Sequence, residues 1–146
     1  MLTIAIGSDH GGFDYKQKLI YHLGQLGYLV LDCGTYSEES VHYPIFGENV
    51  ARCVASGCAN FGVVICTSGE GIMMSANKVE GVRCGIGYND EVSKLMRQHN
   101  DANVISFGQK FMSYEDVERR VHIFLETEFE GGRHKNRIDK ISALEV

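Results

Sequence analysis

The chain has no C-x-x-C pair, no apolar run long enough to span a membrane, and no stretch rich in lysine or arginine. Each absence removes a class of function. The five cysteines, at positions 33, 53, 58, 66 and 84, are odd in number and irregularly spaced. They imply neither a disulfide framework nor a zinc knuckle. Reduced thiols in a cytoplasmic protein fit that usage best. A spanning helix needs roughly 18 or more apolar residues, so no membrane association is expected. Met1-Leu2-Thr3 leads straight into a strand-like run, and no secretory leader is expected either. The formal net charge of −5 argues against nucleic-acid binding. Internal repeats, linkers and low-complexity segments are also missing, so residues 1–146 read as one domain with room for a real core.

What is present is an alternation of two periodicities. Strand signals occur at Thr3–Ile6, Tyr28–Leu31, Gly62–Cys66, Val82–Ile86 and Val104–Phe107. Between them lie helical spacings: Leu19, Leu23 and Leu26; Phe46, Val50 and Val54; Val92, Leu95, Met96 and His99; Val117, Val121, Phe124 and Leu125. Strand and helix in strict alternation predict an α/β fold, a doubly wound, Rossmann-like parallel sheet of five strands with helices on both faces. Glycines near the strand ends (Gly7, Gly34, Gly69, Gly87 and Gly108) suit tight strand-to-helix turns. Beyond Gly131-Gly132, a stripe of Ile138, Ile141 and Leu144 predicts a separate C-terminal helical tail. So short a helix needs a surface to pack on, from the same subunit or from a second copy of the chain, and a homodimer is expected.

The densest chemistry lies at Cys66-Thr67-Ser68-Gly69-Glu70-Gly71. Val63-Val64-Ile65 before it is wholly apolar, as expected of a strand buried on both faces. Cys66 would then stand at the strand's carboxyl end, where open α/β sheets bind ligands. A glycine-rich turn entering a helix offers backbone N–H groups to an anion or a developing oxyanion, and a helix N-terminus favours a thiolate. Two familiar loops are excluded. A cysteine phosphatase needs an arginine six positions on, where Ile72 stands, and a P-loop needs a lysine that Ser68–Gly71 lacks. The other four cysteines read as small buried hydrophobes.

Three further groups of residues stand out. Asp9 and His10 follow the first strand in Asp-His-Gly-Gly, placed to bind sugar hydroxyls or phosphate; the plain alternative makes Asp9 a helix cap. That turn lacks the G-x-G-x-x-G spacing of a dinucleotide site. His99 extends the apolar stripe of its helix and precedes the polar run Asn100-Asp101-Ala102-Asn103. A histidine there is either a satisfied core residue or a proton-transfer group. Arg133 and Arg137, spaced i, i+4 with His134 between, share one face if the tail is helical. Guanidinium forks suit a phosphate monoester, against the plain reading of a solvated basic face.

Together these segments resemble the ribose-5-phosphate isomerase B family, which includes the galactose-6-phosphate isomerase subunits. The resemblance rests on Gly7–Phe13, Asp32–Thr35, His42-Tyr43-Pro44, Ile65–Gly71, Ala76-Asn77-Lys78, Arg97–Asn103 and Glu130–His134, in order and nearly end to end. It implies a homodimer with active sites at the subunit interface. It also implies metal-free, cofactor-free interconversion of ribose 5-phosphate and ribulose 5-phosphate in the non-oxidative pentose phosphate pathway. Position by position, Cys66 corresponds to the base moving a proton between C2 and C1, and His99 to the group that opens the furanose ring. The backbone of Thr67, Ser68, Gly69, Glu70 and Gly71 would hold the enediolate, with the Ser68 hydroxyl at the migrating region. Asp9, Tyr43 and Asn100 would bind hydroxyls, and His10, Arg133 and Arg137 the phosphate.

Three departures bear on these expectations. Family members commonly carry Cys-Gly-Thr-Gly-x-Gly, where this chain has Thr67 and Ser68. Some relatives use a glutamate base at the position of Ile72, and Glu70 does not occupy it. Lys110 stands where an arginine often contacts phosphate; it keeps the charge but loses the fork. The alternatives are a six-carbon substrate, allose or galactose 6-phosphate, and a phosphosugar-binding protein without catalysis.

Overall fold

The computed structural model describes residues 1–145. Five strands, β1 (Thr3–Ser8), β2 (Leu29–Asp32), β3 (Phe61–Cys66), β4 (Cys84–Ile86) and β5 (Val104–Gly108), form one parallel sheet in the order β2-β1-β3-β5-β4. Helices α1 (Phe13–Gln25), α2 (Tyr43–Ala55), α3 (Glu70–Ala76), α4 (Asp90–Gln98), α5 (Tyr114–Glu126) and α6 (Arg133–Ser142) follow in alternation. The doubly wound architecture expected from the two periodicities is the one observed. No helix among the described residues is long and apolar enough to cross a membrane.

Side-chain alternation along the strands sorts the core into two layers. Ile4, Ile6, Val63, Ile65, Ile105 and Phe107 pack with α1, α4 and α5 on one face. Ala5, Val64, Cys66 and Val104 pack with α2 and α3 on the other. The helix starts carry their own signals. Pro44 lies in the first turn of α2, a position that needs no amide donor. The Asn89 side chain accepts from Val92 N at 2.7 Å to cap α4, and Ser113 accepts from Asp116 N at 3.2 Å to cap α5. Asp90 then takes Arg119 Nε at 2.9 Å and Arg120 Nε at 3.0 Å, tying the start of α4 to α5.

Leu29 and Leu31 are exposed, because β2 is an edge strand with little cover. Several expectations need correction. Leu26 lies just past the end of α1 and faces solvent. Gly7 sits inside β1 rather than after it. A Cβ there would come within 2.7 Å of Val50 Cγ2, so it serves the approach of α2 instead of a turn. Cys58 is exposed, not buried. In α6 only Ile138 of the apolar stripe is buried; Ile141 and Leu144 lie open.

One buried charge was not expected. Lys16 of α1 is fully buried, with Nζ 2.8 Å from Asp32 Oδ1 and 2.7 Å from Gln17 Oε1. The same Asp32 oxygen accepts from Gly34 N at 3.0 Å, so the pair holds the loop after β2 against β1. There Ser8 N donates to Gly34 O and Thr35 N to Ser8 O, both at 2.7 Å. The pair is lopsided, since the Asp32 side chain keeps 33% of its exposure and Lys16 none. Asp32→Ala, which strands the buried ammonium, should lower unfolding free energy by about 3–5 kcal/mol. Lys16→Met leaves only a half-wet carboxylate and should cost less. Urea denaturation of both variants tests this, and the reverse order would contradict it.

Candidate active site

The chain winds from β1 outward to β2 on one side, then crosses back past β1 to β3 on the other, which makes the β1–β3 boundary the switch point where open sheets bind ligands. Register brings the right residues there. Ser8 is aligned with Ile65, so Asp9 follows one strand where Cys66 ends its neighbour. Cys66 is in turn aligned with Gly108. Three strand ends therefore meet at the sulfur.

The turn after Cys66 is held tightly on its underside. Gln109 N donates to Cys66 O at 3.0 Å, Lys110 N to Thr67 O at 3.2 Å, and Ser106 Oγ to Gly69 O at 2.7 Å. Gly69 adopts φ +84°, and a Cβ there would sit 2.9 Å from the Phe107 carbonyl carbon, so only glycine fits. Its N–H donates to Cys66 Sγ at 3.1 Å. Glu70 N donates to Ser68 Oγ at 3.2 Å. Two of the five expected amides are thus engaged inside the turn. Those of Thr67 and Ser68 have no protein acceptor among the described residues. Both residues are exposed while Cys66 is buried, so the sulfur lies at the floor and the free amides at the mouth.

Asp9, His10 and Tyr43 surround this mouth. Asp9 is buried and its Oδ1 accepts from Gly11 N at 2.9 Å, so the capping alternative holds for one carboxylate oxygen. Gly11 lies against Thr67, as a Cβ there would meet Thr67 Oγ1 at 2.3 Å. His10 is exposed, with Nδ1 accepting from Val41 N at 3.1 Å, which leaves Nε2 outward. Tyr43 opens α2 and lies over the turn: a Cβ on Gly71 would be 2.9 Å from its Oη. Lys110 is exposed beside Thr67.

The other half of the expected constellation is elsewhere. His99 caps the C-terminus of α4 and faces His134 of α6, the rings stacked 4.3 Å apart. Glu130 Oε1 lies 3.7 Å from His99 Nε2 and 3.5 Å from His134 Nε2. Arg133 and Arg137 are exposed one helical turn apart on α6, as their spacing predicts. Asn100 is exposed on the rim of a groove of about 620 Å³ that also includes Asn77, Arg83, Ile141 and Leu144. Helix α4 starts at the carboxyl edge of the sheet and runs back, so His99 comes out at the amino edge. Arg97, two residues earlier, stacks 4.8 Å from the ring of Phe61, the first residue of β3. Cys66 is the last, five residues and about 17 Å further along. No hydrogen bond or ion pair among the described residues joins His99, Asn100, Arg133 or Arg137 to the Cys66 turn. Within one subunit, Asp9, His10, Tyr43 and Cys66 therefore share the carboxyl edge of the sheet, while His99, Asn100, Arg133 and Arg137 lie toward the other.

Glu130 and the burial of His134 were missed from sequence; the Glu130…His134 spacing of four was the available signal. Burial, reinforced by His99 and Arg133, holds His134 below the ordinary histidine range. Among the cysteines, burial pushes the Cys33 thiol up to about 11, in keeping with a structural residue. Burial also raises the Asp9 carboxyl, an effect only partly offset by His10 and the Gly11 amide. An unfolded Asp9 ionises first as pH rises, so the folded state loses stability above pH 3.8 and carries that cost at neutrality. Asn keeps the acceptor for Gly11 N without the charge. Asp9→Asn should therefore melt above the wild type at pH 7, with the gain vanishing below pH 3.8. A lower melting temperature at pH 7 would contradict this.

Comparison with known proteins bears on the whole chain. The family model described as Ribose/Galactose Isomerase matches residues 4–141. Ribose-5-phosphate isomerase B of Escherichia coli is 40% identical over 145 residues, covering 99% of this chain and 97% of that protein. The structure of ribose-5-phosphate isomerase B from Clostridium thermocellum superposes with a TM-score of 0.97 at 42% identity, covering 99% of this chain and 97% of the other. That from Mycoplasma genitalium, with ribulose 5-phosphate bound, gives 0.94 at 37% identity and covers 98% and 95%. With a match running through both strand-end loops and into α6, the chain belongs to the ribose/galactose isomerase family.

Proposed function

We propose that this protein interconverts ribose 5-phosphate and ribulose 5-phosphate, with Cys66 as the carbon base. The observation that carries the reading is the arrangement at the end of β3. A buried sulfur lies beneath two free amides at the sheet's switch point, in a chain whose relatives include a ribulose 5-phosphate complex. Oxygen charge develops only as the C2–H bond breaks, so donors aimed at it accelerate the chemistry rather than merely tightening binding. The thiolate of Cys66 takes the proton from C2, and the electron pair passes into the enediolate. The Thr67 and Ser68 amides hold the oxygen at C1, a proton passes from the C2 hydroxyl to that oxygen beside the Ser68 hydroxyl, and the thiol gives its proton to C1 as the C2 oxygen becomes the ketone. Asp9 and Tyr43 bind the remaining hydroxyls.

Ribose 5-phosphate is a closed furanose, and the ring must open first. His99 moves a proton onto the ring oxygen, with Glu130 positioning its imidazole. Since His99 and Cys66 stand at opposite edges of one subunit's sheet, the working site joins two copies. A twofold axis that sets the carboxyl edge of one subunit against the amino edge of the other makes two equivalent sites. Each then has Cys66, Asp9, His10 and Lys110 from one chain, and His99, Asn100, Arg133 and Arg137 from its partner. Cationic groups from both sides enclose the phosphate. The five free cysteines fit a reducing cytoplasm, where such an enzyme would serve the pentose phosphate pathway.

Two measurements test the assignment. Assayed side by side, ribose 5-phosphate should be turned over at higher kcat/KM than allose 6-phosphate or galactose 6-phosphate; a six-carbon preference would move the substrate assignment. His99→Asn should cut turnover of ribose 5-phosphate by about 100-fold or more. On erythrose 4-phosphate, too short to close a furanose ring, the loss should be much smaller. Equal losses on both would remove His99 from ring opening.

A further inference from the structure

A second cluster of titratable groups lies on the seam between α1 and α5, outside the residues assigned to the reaction. His22 Nε2 is 2.8 Å from His122 Nε2 and 3.0 Å from Glu118 Oε1. All three ligand atoms lie within 4.8 Å of one another. Glu118 and His122 are one turn apart on α5, so their side chains project from the same face. His22 comes across from α1, three-quarters of the way along that helix. The seam itself is packed: Tyr15 and Tyr114 meet edge to face at 5.5 Å, and Leu19, Leu23, Val117 and Val121 form the core beneath.

Two imidazole nitrogens pointing at each other at 2.8 Å can share one proton, or both can turn their lone pairs to a metal. Ring geometry permits the second use. The planes of His22 and His122 are 87° apart, so their in-plane lone pairs can converge on a point. The His99–His134 rings, also beside a glutamate, are stacked 13° from parallel, and their lone pairs run side by side. Zinc–nitrogen bonds of about 2.0–2.1 Å at a tetrahedral angle need the nitrogens about 3.3 Å apart. Half an ångström of opening between the two helices is enough. His122 also has the support that metal-bound histidines use, its Nδ1 facing Glu126 Oε1 at 3.9 Å. Glu118 has no lysine or arginine partner among the described residues, and Tyr114 lies beside it. The fourth position opens into the shallow groove beside Tyr21 and Gln25, where water can complete the shell.

We propose that His22, Glu118 and His122 form a site for Zn²⁺ or a similar borderline-soft divalent cation, clamping α1 to α5. Two imidazoles and one carboxylate suit zinc and reject Mg²⁺ and Ca²⁺, which take oxygen. The site is structural. Both helices start at the carboxyl edge of the sheet and run back, so His22 lies about 13 Å along α1 from the catalytic edge. Metal held there stabilises the folded chain through linkage and takes no part in proton transfer.

The test uses untagged, full-length protein stripped with a chelator, dialysed against Zn²⁺, and measured for bound metal and melting temperature. Wild type should retain one zinc per chain that His22→Gln and Glu118→Gln lose, with an affinity drop on the order of 100-fold. The melting temperature should rise with Zn²⁺, but not with Mg²⁺, in wild type and in His134→Asn. Ribose 5-phosphate turnover of the two site variants should match that of the wild type. Failure to bind zinc, binding undiminished by His22→Gln, or binding abolished by His134→Asn would each overturn the proposal. None of these outcomes depends on which sugar phosphate the enzyme prefers.

Discussion

A strand buried on both faces ends at Cys66, and the position of that sulfur governs the rest of the site. Parallel pairing with β1 on one side and β5 on the other removes any freedom in where the strand stops. The turn beyond it is clamped by hydrogen bonds from Ser106, Gln109 and Lys110, all on or just after β5. Gly69 lets the backbone reverse in van der Waals contact with Phe107. Preorganisation of this kind aims donors at a charge that does not yet exist, without reorganisation when it appears.

The same parallel architecture divides the site. Every crossover helix returns the chain to the amino edge, so residues at helix ends and residues at strand ends are separated by the length of a strand. His99, Glu130 and His134 meet through the end of α4 and the start of α6, linked by Glu130 N donating to Gln98 O at 3.1 Å. Cys66 and Asp9 meet through strand register. Neither half holds both the proposed carbon base and the proposed ring-opening group. In the proposed dimer, a twofold pairing of opposite edges would complete both sites at once and set the exposed Arg133 and Arg137 opposite the exposed His10 and Lys110.

Much of this was legible in the residues. The Val63–Ile65 run, the helical stripes and the Cys66–Gly71 turn each carry a local signal, and local signals survive folding. What was lost came from partners distant in sequence. Lys16 reads as an ordinary surface lysine until Asp32 of β2 comes to meet it. Tyr28–Leu31 reads as a strand, and only strand order shows that it is an edge with Leu29 and Leu31 exposed. The amides of Gly69 and Glu70 looked free until Cys66 Sγ and Ser68 Oγ accepted from them. His99 has the spacing of an inward-facing residue, and only topology shows that it emerges at the far end of the sheet.

Mixing two inactive variants tests the divided site most directly. Cys66→Ala and His99→Asn subunits, unfolded together and refolded, form heterodimers in which one site carries both substitutions and the other carries neither. If each site draws Cys66 from one chain and His99 from the other, random pairing should restore about a quarter of wild-type turnover of ribose 5-phosphate. Sites built within single subunits would leave every site damaged, and the mixture would stay as inactive as its components.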